Sequence, residues 1–373
     1  YRMGFKLLYE QKNGTAKILR CFGEAEEISL PAFVHGCPVT EIGDYIFSAG
    51  MRTEPFGYLW EEGCQKLPVR KTAASELGPA FCGDRVREIS LPPELLRIGR
   101  YAFYNCDGLR RLQFSSGIRD IGAGAFNGCR KIEELTVTEN REEKSCLKEI
   151  LSELNETVAV HYLLTGPDKD RPGSAPVGEE NRAELLFPAF YEEAVENTPA
   201  RITETHVHGC GHRYRYCFQN TRFQFAEYDS LFPYMKAQEN VKEAVRLSVG
   251  RLRFPMELSE KARCSYRAYL LEHLEETAEY ICSLQDVSEW RWLVNECFGI
   301  IKVEHAAAGW LGNEGLAGRA HEEYSNIKEP ALDKTGFDKL IHTAVRRSQT
   351  EAVSFLMDAG RRAFPPKRKK FEL

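Results

Sequence analysis

The chain has 373 residues, 43% of them hydrophobic and 28% charged, with a formal net charge of −5. This is globular composition, which excludes wholesale disorder. At about 150 residues per domain there is room for two or three domains. The acidic balance excludes the broad electropositive footprint of a nucleic-acid binder. No apolar run reaches the roughly 18 residues needed to cross a bilayer, so no membrane span is expected.

The first twenty residues, Tyr1 to Arg20, are mixed and polar, without the long apolar core of a secretory signal. The twelve cysteines are dilute along the chain, and many sit on apolar faces, where a free thiol behaves as a small hydrophobe. Both features point to reduced thiols in a cytoplasmic protein. The alternative is a cell-surface or secreted protein whose N-terminal signal has been removed.

A repeat occupies Val86 to Val137. Ile98-Gly99 recurs as Ile121-Gly122, 23 residues on, and Ala102-Phe103 recurs as Ala125-Phe126. Cys106 returns as Cys129, Leu109 as Ile132 and Leu112 as Leu135 at the same offset. Less regular copies lie upstream, with Ile28-Ser29-Leu30, Ile42-Gly43 and Ile46-Phe47, and then Leu77 to Phe81. Ile89/Leu91, Leu112/Phe114 and Leu135/Val137 stand two apart, so each pair faces one side of a short strand. Ala102, Phe103, Cys106 and Leu109 have the spacing of the inner side of a helical turn. One strand and one turn cannot bury these residues alone, whereas stacked rungs join them into a continuous core.

The pattern from Glu88-Ile-Ser-Leu-Pro-Pro through Ile98-Gly-Arg-Tyr-Ala-Phe-Tyr-Asn-Cys-Asp-Gly-Leu109 resembles the BspA-type leucine-rich repeat of bacterial proteins. Val34 to Gly43 looks like the opening repeat of that family, and the resemblance covers about residues 20 to 140. It implies a leucine-rich-repeat solenoid over residues 1–164. Met51 to Ser75, with Pro55, Gly57, Gly63 and Pro68, departs from the pattern and is expected to be an insertion loop. Cys146 to Leu154 then carries a helical stripe and Val158, Val160 and Tyr162 alternate, a unit expected to close the end of the solenoid.

Residues 165–183 read as a linker, because Gly166 to Gly178 holds three prolines and three glycines. The remainder, 184–373, lacks the 23-residue period. Arg201 to His208 and Arg213 to Phe218 alternate on either side of Gly209-Cys-Gly211, which is a hairpin signal. From Tyr228 the chain turns helical, with one face through Val241, Ala244, Val245, Ser248 and Leu252. A longer face runs from Ala262 to Leu284, between Pro255 and Asp286. Glu289 to Cys297 and Glu351 to Ala359 are weakly similar, and the latter, preceded by Leu340 to Ala344, resembles the helix pair of an ankyrin-type repeat. Gly309 to Gly318 reads as an inter-helix loop. The fold expected is therefore an α/β solenoid of 23-residue repeats, a small β-hairpin region and a mostly α C-terminal domain.

Two sets of residues are candidates for function. Ser29, Glu88, Ser90, Arg111, Gln113, Glu134 and Thr136 alternate with the apolar pairs and form the exposed face of the sheet. The protein is expected to hold a protein partner there, with no catalysis and no cofactor. The rival is His206-Val-His208-Gly-Cys210-Gly-His212 with Cys217, whose soft ligands could serve a metal-binding or enzymatic domain. The spacing is unlike the usual zinc arrangements, and a hairpin with half-exposed histidines is the reading favoured over a metal site. The basic tail Pro365-Pro-Lys-Arg-Lys-Lys370 reads as a solvated end. No phosphate-binding loop, dinucleotide fingerprint or nucleophile elbow is present in the sequence.

Overall fold

A computed structural model describes residues 5–53, 55–62, 71–140, 143–165, 181–197, 202–299 and 332–365. The chain divides into two compact units, 1–239 and 240–373. The stretches 166–178, 309–318 and 366–370 lie outside the described residues.

The first unit opens on a hairpin, β1 (Lys6–Lys12) and β2 (Thr15–Phe22). Its turn, Asn13-Gly14, has positive φ at both residues, the conformation in which an Asn-Gly pair is least strained. From there a β-solenoid of about six turns winds over residues 16–165. Its main sheet stacks β3 (Glu27–Ser29), β8 (Glu88–Ser90), β10 (Arg111–Ser115), β12 (Glu134–Asn140) and β13 (Val158–Thr165) in parallel. Ile28, Ile89, Leu112, Leu135 and Val160 align in one buried row across these strands.

The strands between them in sequence belong to a second sheet. It runs β2, β5 (Cys37–Ile42), β9 (Arg97–Ile98) and β11 (Asp120–Ile121), all parallel. β4 (Phe33–Val34) pairs with β5 beside it. Met51 to Ser75, expected as an insertion loop, supplies instead β6 (Phe56–Glu61) and β7 (Lys71–Ala73), which extend the second sheet beyond β1.

The third side of the solenoid is formed by turns, not by helix. Tyr104 N–H donates to Tyr101 C=O and Cys106 N–H to Phe103 C=O, each three residues back. The rungs are also bonded to each other here: Tyr101, Phe103 and Asn105 N–H donate to Ala123, Ala125 and Asn127 C=O. Within, Phe47, Phe103 and Phe126 stack with centroids 5.1 and 4.9 Å apart. The glycines of the repeat serve contact between rungs more than turning. A Cβ on Gly122 would lie 2.4 Å from Arg100 N, and one on Gly99 would lie 2.4 Å from Gly43 C, so only glycine permits the stacking.

The end of the solenoid is closed by α1 (Leu147–Ser152) and β14 (Arg182–Phe187). The latter pairs antiparallel with β13, so this sheet continues past the stretch where composition placed a linker, and the division into units falls at Glu239/Asn240. Phe126 N–H, with no further rung to bond, donates to Glu153 Oε2 at 2.8 Å. A projecting hairpin follows, β15 (Tyr191–Asn197) with β16 (Ile202–His208). The partner of β16 expected from alternation, Arg213 to Phe218, is not a strand paired with it: Gly211–Arg215 is the short helix α2. Beyond it come β17 (Phe218–Gln219), β18 (Arg222–Phe223), α3 (Phe225–Ser230) and α4 (Phe232–Gln238).

The second unit is helical. α5 (Val241–Arg253) and α6 (Glu260–Glu272) start at Asn240 and Ser259, whose side chains accept from Glu243 N and Ala262 N. The face from Ala262 to Leu284, read from sequence as one run, is broken at His273 into α6 and α7 (Leu274–Ser283). α8 (Val287–Arg291) runs into a π-helical turn, Trp292–Cys297. α9 (Lys334–Arg346) and α10 (Thr350–Ala363) form a helical hairpin. Gln349 between them accepts from Trp290 Nε1 and donates to Cys282 C=O, tying the hairpin to α7 and α8.

Candidate interaction surface

The parallel register gathers the seven sheet-face candidates into two rows. In the first, Glu88, Arg111 and Glu134 stand directly opposite one another, and Glu27 continues the row at the edge. In the second, Ser29, Ser90, Gln113 and Thr136 align, and His161 extends the row on β13. Ser29, Arg111 and Gln113 are exposed, and Glu88, Ser90, Glu134 and Thr136 are half-exposed. Sequence reasoning missed Glu27 and His161, although both neighbour core residues of strands it had found.

Arg111 organises the charge. Its Nε donates to Glu88 Oε2 at 2.7 Å, and Nη2 lies 3.8 Å from Glu27 Oε1. The bond to Glu88, with the charges of Glu88, Glu134 and Glu27, holds the guanidinium above its usual range. One cation among three carboxylates leaves the row acidic. A cavity of about 480 Å³ opens at the β3 end of the face, bordered by Glu26, Glu27, Glu62 and Glu88 with Phe5 beside them.

The His/Cys cluster is dispersed by the fold. His206 and His208 lie on β16 with their rings outward, 3.8 Å from Glu204 and 3.1 Å from Glu193. His208 also stacks on Tyr191, centroids 4.5 Å apart. Cys210 and Cys217 are turned inward and buried. Cys210 Sγ faces Met235 Sδ, while burial pushes the Cys217 thiol up to about 12. His212 packs on Tyr216 and Phe190. Imidazoles outside and thiols inside do not share a tetrahedron. Among the described residues no group of three or more His, Cys, Asp or Glu side chains is placed to hold a metal ion.

A residue that sequence reasoning overlooked anchors this region. Arg215 is buried, and its guanidinium donates to the carbonyls of Leu154, Glu156, Pro188 and Gly211. It thereby pins the last turn of the solenoid to the chain that follows β14. Burial pulls it down to about 10.

The stacked rungs, the 23-residue register and the phenylalanine ladder agree with a family comparison: residues 78–152 match the BspA type leucine rich repeat region, in 6 copies. These are BspA-type leucine-rich repeats. The BspA-type segment covers the regular rungs from the turn before Phe81 to α1, and the irregular first turns precede it. A comparison with curated proteins gives no match. Among solved structures, a leucine rich cell surface protein from Faecalibacterium prausnitzii A2-165 matches at 19% identity with a TM-score of 0.21. The match covers 38% of this chain and 38% of that one, so the chain spans well under half of that protein's length. No helix among the described residues is long and apolar enough to cross a membrane.

Proposed function

We propose that the protein is a non-enzymatic interaction or scaffold protein that holds a protein partner on the exposed face of its main sheet. The observation that carries the reading is the pair of in-register rows, Glu88–Arg111–Glu134 and Ser29–Ser90–Gln113–Thr136. They set polar, hydrogen-bonding side chains at fixed spacings on a rigid support, and a rigid backbone lowers the entropic cost of ordering the surface on binding. A solenoid offers such a surface because each rung adds a strand to the same face.

The test is capture from the native cell with the wild-type protein and with Arg111, Gln113 and Glu134 together changed to alanine. A partner retained by the first and lost by the second supports the reading. An unchanged set of captured partners would end it.

We further propose that the protein works in a reducing compartment. The eleven described cysteines are all free thiols, and nine of them are buried.

A further inference from the structure

The main sheet has two edges, and they are treated differently. At one, a single side chain occupies the outward groups of Leu186 on β14: Tyr228 Oη accepts from Leu186 N–H at 2.8 Å and donates to Leu186 C=O at 2.7 Å. At the other, β3 ends the sheet, and among the described residues no strand pairs with its outer side. The ladder shows which groups are left. Glu88 N–H donates to Glu26 C=O and Leu30 N–H to Ser90 C=O. With Ile28 opposite Ile89, the peptide groups of Ile28 face β8, and those of Glu27 and Ser29 point away from the sheet.

We propose that this edge takes an extended, basic segment of a partner protein as an added strand. The inference rests on the interaction reading above and names its partner chemistry. Main-chain bonds to Glu27 and Ser29 supply affinity, and the rows of the sheet supply specificity. A residue set beside Glu27 joins the acidic row at its end and meets the rim formed by Glu26 and Glu62, so it is lysine or arginine. The residue beside Ile28 continues the buried row and is apolar. The residue beside Ser29 continues a row of hydroxyl and amide side chains and is small and polar. The cavity of about 480 Å³ in front of β3 has room for these side chains.

The probe is a fluorescein-labelled heptapeptide, Thr-Lys-Ile-Ser-Lys-Val-Thr, followed by fluorescence anisotropy against the full chain. Saturable binding that weakens with added salt is expected. The same peptide N-methylated at alternate residues, in either register, and a version with glutamate for lysine are expected to bind at least about tenfold more weakly.

Ser29→Pro removes an outward N–H without touching the ladder to β8, and is expected to reduce binding by about tenfold or more. Glu27→Gln keeps the fold and weakens the basic peptide alone, which guards against a misfolded proline variant. The triple alanine variant at Arg111, Gln113 and Glu134 separates the two readings. If it abolishes binding while Ser29→Pro and Glu27→Gln leave it intact, the face holds the partner and the edge proposal falls. Failure of the peptide to bind by about 1 mM would overturn the proposal. So would a dimer in sedimentation that Ser29→Pro dissolves while no peptide binds, because the edge would then be covered by a second copy.

Discussion

The Cys129 thiol donates to the Phe103 carbonyl at 3.0 Å, and Cys106 repeats the bond to Phe47 at 3.2 Å. The cysteine of each repeat thus bonds the preceding rung through its hydrogen, which a disulfide would remove. Its neighbour Cys129 and burial hold the Cys106 thiol far above its ordinary range. Thiolate is the reactive species, so Cys106 is expected to resist alkylation in the native protein, and burial shields Cys129 from the reagent. Among the described cysteines, only Cys82 and Cys264 are half-exposed and should react first. Mass spectrometry after iodoacetamide, with and without denaturant but without reductant, checks this. Paired cysteines in the denatured sample would refute the ladder and the reducing compartment together.

Phe103 lies between Phe47 and Phe126, fully buried, and its ring is part of the contact between rungs on both sides. Phe103→Ala is expected to cost about 3–5 kcal/mol, the range for a large aromatic removed from a packed interior. Chemical denaturation with urea measures the loss. A change under about 1 kcal/mol would mean that the rungs relax onto one another and that the stack is not rigid.

Arg215 supports four carbonyls with one charge. Arg215→Met keeps most of the volume but strands those acceptors, each worth about 1–3 kcal/mol when buried without a partner. A loss of about 3–5 kcal/mol is expected, and Arg215→Lys is expected to recover little of it, because an ammonium cannot span the fork. Thermal unfolding of both variants reports the outcome, and a lysine variant as stable as wild type would contradict it.

Glu139 gives a pH signature. It is buried on β12, and burial pushes its carboxyl up to about 7 against the pull of the Ser145 and Tyr162 hydroxyls and the Arg222 charge. Between its ordinary value of 4.5 and about 7, the folded chain keeps a proton that the unfolded chain has released. Stability contributed by this site therefore falls as pH rises through that window, by at most roughly 3 kcal/mol, and levels off above it. Glu139→Gln is expected to remove that part of the slope, so that the variant gains on wild type from pH 4.5 upward. Urea midpoints of both proteins across the window test this, and parallel curves would show that Glu139 is ionised in the fold.

The rungs were legible in the sequence because one register is repeated, so that Leu112, Leu135 and their neighbours reinforce each other's assignment. The second sheet was not, since β9 and β11 are two residues each and too short to alternate. The turn side shows only the spacing of a helical turn, because Ala102, Phe103 and Cys106 have the same inward spacing in successive tight turns. The partner of β16 was misassigned for a different reason. Arg213 to Phe218 alternates charged and apolar residues, which implies an outward arginine at 215. That arginine is buried, satisfied by Gly211 C=O nearby and by the carbonyls of Leu154, Glu156 and Pro188 from segments distant in sequence. The candidate face was legible from alternation alone, whereas its acidic rim depends on Glu62, brought near Glu27 only by the fold.

Tyr228 also limits how many copies of the protein can join through the main sheet. Indefinite growth, as in a fibre, needs two compatible edges on every molecule, so that each addition leaves a fresh one behind. With Leu186 of β14 bonded by a buried phenol that both gives and takes a hydrogen bond, β3 is the edge of this sheet left to share among the described residues. Two molecules meeting there would use up both of their edges and form a closed pair. Replacing the aromatic hydroxyl alone, as in Tyr228→Phe, would strand the Leu186 N–H and C=O but leave the buried ring over them, so the pair would remain the limit.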